Sequence, residues 1–205
     1  MQALRTALAA AAIAAAPCLA QEPLFDQARL HTVQIEIDPA DWAALQAEFW
    51  SNQYYAADVA IDGEVVRQVG IRSRGDGSRN ALKPGLKLDF NRYVPGQELH
   101  GYKGLVLDNC FQDATCLKET LAFQVFEAMG LAAPQASHAR LYVNGQYWGL
   151  YGLVEQVSGH FLNERFGEDS GERSEVHFKV FIERPVVSLL MKILVPIILL
   201  SLIHI

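Results

Sequence analysis

Residues 139–157, ARLYVNGQYWGLYGLVEQV, read as a β-hairpin. Leu141 and Val143 alternate with Arg140 and Tyr142, and Asn144-Gly145 then supplies the turn. An Asn-Gly pair tolerates the positive φ angles that a tight hairpin needs. The return strand, 147–154, is almost wholly apolar and aromatic, which predicts burial on both faces. It ends on Glu155, which is either solvated at an element end or turned into a polar cleft.

Upstream of the hairpin, 31–37 alternates Val33, Ile35 and Ile37 against Gln34 and Glu36, the pattern of a half-buried strand. Asp38-Pro39 ends it and caps a helix through Trp42, Leu45 and Phe49. Residues 55–61 and 65–72 are strands joined by an Asp62-Gly63 turn. Leu86, Leu88 and Phe90 share one strand face, and 104–108 is a further short strand. Asp113 or Thr115 caps a helix over about 116–129, with Gly130 as its C-cap. Leu117, Leu121, Val125 and Met129 form one apolar row on it, flanked by Phe123 and Phe126, so it is expected to lie packed between other elements. A short amphipathic helix, 159–166, follows the hairpin. This order implies an α+β fold with a mainly antiparallel sheet and one packed helix.

The 205 residues suit one domain, and a net charge of −6 with no basic stripe argues against a nucleic-acid partner. Residues 1–20 have the form of a secretory signal: Arg5, an Ala-rich run, then small residues suited to cleavage after Ala20. A lipoprotein site at Cys18 is the alternative, poorly served by Pro17. The chain is therefore expected to be exported, to periplasm, cell surface or medium. In that setting Cys110 and Cys116 favour a local disulfide over two free, partly buried thiols. Residues 186–205 turn abruptly apolar, interrupted by Lys192 and Pro196. They read either as a membrane helix, the one route to a membrane partner, or as a non-native sequence end.

The strongest chemical signal is the stretch 72–87. Arg72, Arg74, Arg79, Lys83 and Lys87 gather around Gly75, Gly77 and Ser78. Glycines let backbone N–H groups approach an anion, and Arg or Lys adds charge. A solvated hairpin loop is the alternative. The order of elements (basic Gly loop, Lys-bearing strand, helix carrying Glu119, two strands ending on Glu155) resembles a protein-kinase N-lobe. Neither GxGxxG nor V-A-I-K is present, which excludes a standard kinase.

The segments GIRSRGDGSR (70–79), LKPGLKLDF (82–90), GLVLDNCFQDATCLKETLAFQVFEAMGL (104–131), LYVNGQYWGLYGLVEQV (141–157) and FLNERFG (161–167) together resemble the CotH family, spore-coat-H-type atypical kinases. The likeness covers about residues 31–179. It implies a secreted kinase-like fold, represented here by its N-lobe with the C-lobe missing. It also implies ATP- and Mg- or Mn-dependent phosphorylation of Ser or Thr in a protein substrate.

By that resemblance Arg74, Gly75 and Ser78 match an Arg-Gly-Asn-x-Ser loop, with Asp76 in place of Asn. Lys83 matches the family's most regular Lys, and Lys87 lies in its strand. Asp113 and Thr115 match the residues before the helix, where Lys118 replaces an Arg and Glu119 follows. Asn144, Gly145, Gly149, Tyr151 and Glu155 match the hairpin, and 176–179 a later apolar-Tyr-Lys step with Phe178 for Tyr. The expected nucleotide-binding set is thus Arg74, Gly75, Ser78, Lys83, Lys87, Glu119 and Glu155. The family's catalytic and metal-holding aspartates lie further on, and no Asp follows Lys179. The chain as it stands is therefore expected not to catalyse. Its alternative role is a non-catalytic structural or binding module of a cell envelope or spore coat.

Overall fold

A computed structural model describes residues 23–167. The expected signal at 1–20, the step at 176–179 and the apolar tail at 186–205 lie outside that range. Seven strands and three helices run in the order β1 (Leu30–Ile37), α1 (Pro39–Ala47), β2 (Tyr55–Ile61), β3 (Glu64–Arg74), β4 (Gly85–Asp89), β5 (Gly104–Asp108), α2 (Lys118–Ala128), β6 (Ala136–Val143), β7 (Gln146–Glu155) and α3 (Gly159–Phe166). The strands close into a barrel in the order β1-β2-β3-β4-β5-β7-β6.

Closure overturns the expectation of a kinase-like N-lobe with one packed helix. Alternation tells which face of a strand is buried, but not whether the sheet has free edges. Here β1 pairs with β6 in parallel, Val33 against Leu141 and Ile35 against Val143, while the other neighbours are antiparallel. That one pair joins segments about a hundred residues apart and removes both edges.

The inward residues fill the barrel: Val33, Ile35 and Ile37 from β1, Leu86 and Leu88 from β4, Leu105 and Leu107 from β5, Tyr151 and Leu153 from β7. Each such side chain contributes about 1.5–3 kcal/mol on leaving water. α1 starts where expected, with Asp38 Oδ1 accepting from Ala40 N–H at 2.8 Å, and adds Trp42 and Leu45 to the same core.

The hairpin turn is as read, with φ of 50° at Asn144 and 76° at Gly145. The return strand differs from the expectation. Tyr142 faces Tyr147 but Leu141 faces Gly149, so Trp148 is an extra, bulged residue. Its ring meets Trp42 edge-on at 5.0 Å. Only the second half of β7 is buried on both faces.

α2 also departs from the expectation. It lies on the outside of the barrel, and its buried residues are Thr120 and Ala122, with Phe123 packed on a small outer cluster of Val106, Ala136 and Val154. Leu117, Leu121 and Met129 are exposed. Counting apolar residues around a helix shows that more than one face is greasy. It does not show which face meets the protein.

Candidate functional site

The loop from Gly75 to Pro84 joins β3 to β4 at one end of the barrel, and its shape is set by two of its own side chains. Arg79 donates through Nε to Gly75 O at 2.8 Å. Its Nη1 donates to the carbonyls of Phe49, Trp50 and Ser51, and its Nη2 to Asn52 Oδ1 at 2.7 Å. Arg72 shares that Asn52 oxygen at 2.8 Å and packs over the Tyr54 ring. These two guanidiniums therefore brace the loop against the α1–β2 connection. Gly75 sits at φ 123°, and a Cβ there would fall 2.5 Å from Ser78 Oγ. Ser78 thus packs directly on the backbone of Gly75, which only glycine permits.

Lys83 is placed differently. Asn80 Oδ1 accepts from the N–H groups of Leu82 and Lys83, turning the chain back towards the barrel. The Lys83 ammonium then donates to Leu150 O at 2.9 Å and lies 4.8 Å from the centre of the Tyr151 ring. Gly149 lines this lane: a Cβ there would stand 3.6 Å from Lys83 Cε, an ordinary van der Waals contact, so it is the φ of 115° that favours glycine. Burial pushes the Lys83 ammonium below its ordinary pKa, and the negative charge of Asp108 partly restores it. Burial, and then Asp108, push the Tyr151 phenol upward. Tyr151 Oη is buried with no hydrogen-bond partner among the described residues.

Asp108 ends β5 on the outer face of the barrel. One carboxylate oxygen lies 3.7 Å from Arg74 Nη1, and the other accepts from Cys110 N–H at 2.8 Å. Asp108 pairs with Gly152 of β7, while Arg74 pairs with Gly85 of β4. Two glycines in this row keep the surface between the charged residues low. Glu119 overlooks it from α2: its carboxylate is 3.9 Å from where a Gly152 Cβ would be. Lys87 lies one row further along the same face, paired with Arg72 and Val106.

The segment after β5 is closed by the Cys110–Cys116 disulfide, with Cα atoms 5.2 Å apart. Burial raises the Asp113 carboxyl, but hydrogen bonds from Thr115 and from Lys118 N–H outweigh it and hold the group below its usual range. Asp113 therefore caps α2 from outside its first turn. The His138 ring N–H donates to Cys116 O at 2.7 Å and pins the same segment to β6.

Arg74, Gly75, Ser78, Lys83 and Glu119 are thus gathered at one end of the barrel, with Lys87 adjoining. Glu155 is not among them. It pairs with Leu105, three residues along β7 from Gly152, about 10 Å down the strand. It is 2% exposed, and its Oε2 accepts from Gln135 N–H at 3.0 Å and faces Arg165 at 3.4 Å. Its Oε1 has no hydrogen-bond partner among the described residues, and burial raises its pKa. Asp108, Asn109 and Tyr151 belong to the gathered group and were not singled out as binding residues from the sequence. The one available signal was a polar Asp-Asn pair ending an apolar strand. Among the described residues, no group of three His, Cys, Asp or Glu side chains converges to hold a metal.

A family model described as CotH kinase protein matches residues 71–183. That match takes in the whole basic loop, the disulfide segment, α2 and the hairpin. The inner spore coat protein H of Bacillus subtilis (strain 168) is 24% identical over 140 residues, which are 68% of this chain and 38% of that protein. The chain thus spans well under half the length of this curated relative.

Proposed function

The chain belongs to the CotH kinase protein family, and on that premise we propose that the barrel end around Gly75 and Lys83 binds the phosphates of ATP. In the longer family architecture such a site would serve phosphorylation of a protein Ser or Thr. The observation that carries this reading is the state of Lys83. Its ammonium is half-buried, partly stripped of water and, among the described residues, hydrogen-bonded to the Leu150 carbonyl beside Gly149. Exchanging that carbonyl for a phosphate oxygen replaces a neutral acceptor with a charged one, and the low dielectric strengthens the contact.

The donor set fits the phosphates. It does not fit Mg or Mn, for which the described residues offer no converging ligands. Phosphoryl transfer relies on positioned metal ions and on a residue that orients the hydroxyl. Residues 23–167 are accordingly proposed to bind without turnover by themselves. Export, to a cell envelope or coat, belongs to the same proposal and draws on the coat-protein relative and the form of residues 1–20.

A non-catalytic coat or envelope module is the second reading. It is favoured by Arg72 of β3 and Arg79 of the loop, two cations spent on bracing the α1–β2 connection rather than facing a ligand. Thermal unfolding with and without millimolar ATP and Mg separates the two. A ligand that binds only the folded chain raises Tm. Wild type should shift and Lys83→Ala should not. No shift in either supports the structural module. Metal-dependent transfer of labelled phosphate by this chain would overturn binding without turnover.

A further inference from the structure

We propose that Asn109 is the positioning residue of the phosphate loop, acting from inside the segment that the Cys110–Cys116 disulfide closes. The inference rests on the phosphate-site reading for its consequence, but its geometry stands alone. Asn109 is 2% exposed and follows the last residue of β5. Its Nδ2 donates to Ser78 O at 2.9 Å and to Lys83 O at 2.8 Å. One side-chain nitrogen thus ties together both halves of the loop, whose ends carry the glycine turn and the ammonium. Its Oδ1 accepts from Phe111 N–H at 3.3 Å, which fixes the amide flip so that both protons face the loop. Phe111 lies between the bridged cysteines, and Cys110 N–H is held by Asp108, so the amide is anchored on the side away from the loop.

The logic is one of preorganisation. A loop of this length pays entropy when it is ordered around a ligand. Arg79 fixes where the loop attaches. Asn109 fixes the separation of Ser78 from Lys83, which sets the space between the glycine turn and the ammonium. A side chain that only supported the barrel would have no reason to satisfy carbonyls on both halves of one loop.

The test uses hydrogen exchange of the full chain, read over residues 75–84, together with binding of inorganic phosphate and of ATP. Asn109→Ala should speed exchange of the loop on the order of tenfold, the loss of one to two net hydrogen bonds, with the strands keeping their protection. Phosphate and ATP affinity should fall by a similar factor. Val33→Ala is the control for simple destabilisation: it removes a barrel side chain and should leave the loop's relative protection unchanged. Cys110→Ser/Cys116→Ser should loosen the loop in the same direction as Asn109→Ala while leaving residue 109 intact, and serves if the alanine variant is not recovered folded. Loop exchange in Asn109→Ala no faster than in Val33→Ala would overturn the proposal, as would an unaltered loop in the double serine variant. Faster loop exchange with no phosphate or ATP binding in wild type would sustain the positioning role and sink the phosphate site instead.

Discussion

Arg79 and Lys83 stand in one loop and carry the same formal charge, yet their surroundings give them opposite roles. Arg79 is surrounded by the carbonyls of Gly75, Phe49, Trp50 and Ser51 and the amide oxygen of Asn52. A planar guanidinium with five donors suits that set, and a lysine ammonium does not. Arg79→Ala should therefore cost about 2 kcal/mol of folding stability, and Arg79→Lys should recover little of it. Lys83→Ala should cost far less, because removing a partly desolvated ammonium also removes its desolvation penalty. Urea denaturation of the three variants checks the order, and a Lys83→Ala loss as large as that of Arg79→Ala would refute it.

Glu155 makes a pH prediction at the same scale. Burial raises its carboxyl above the ordinary 4.5, against the opposing Gln135 N–H and Arg165. The native state then holds the proton more tightly than the unfolded chain. Its contribution is fully present below about pH 4.5 and is lost as pH rises through the raised native value. Glu155→Gln keeps an oxygen for Gln135 N–H and has no titration. The urea midpoint of wild type should fall relative to the variant across that window, and the two should converge in acid. Parallel curves would show that Glu155 does not carry the effect.

At the scale of elements, the sequence was most legible where a rule is local. Asp38 before Pro39, Asp62-Gly63 and Asn144-Gly145 each act over two or three residues, and each forms the predicted cap or turn. The alternation in β1 likewise buries Val33, Ile35 and Ile37. What was hidden depends on partners distant in the chain. The bulge at Trp148 exists because that ring finds Trp42, and Gly149 is left to absorb the φ of 115°. The basic stretch was legible as a cluster but not as a division of labour, because Asn52 and Asn109 lie far from it in sequence. Gly149→Ala tests the bulge. It should cost about 1–2 kcal/mol from the left-handed backbone alone, while the added Cβ, at ordinary contact distance from Lys83 Cε, should leave the ammonium on Leu150 O. Structure determination or amide chemical shifts at Leu150 would report whether that bond is kept. A variant as stable as wild type would mean that the bulge relaxes freely.

At the scale of the whole molecule, closure is the property no single stretch announces. The parallel pairing of β1 with β6 makes a barrel of what would otherwise be a sheet with two open edges. Asn144 joins that closure to the hairpin. Its N–H donates to Ile35 O at 2.8 Å, and its Oδ1 accepts from Ile37 N–H at 2.9 Å. The residue that permits the turn thus also ties the turn to β1. Asn144→Gly keeps the backbone freedom and removes only the side-chain bond, so it should cost about 1 kcal/mol. Asn144→Ala adds a strained φ and should cost about 2 kcal/mol. If closure makes the barrel one cooperative unit, hydrogen exchange in β1 and β6 should speed up together in both variants, and fluorescence and circular dichroism should trace one unfolding transition. Loss of protection in β1 alone, with β3 to β7 unchanged and two transitions resolved, would mean that the first strand is an appendage to an open sheet.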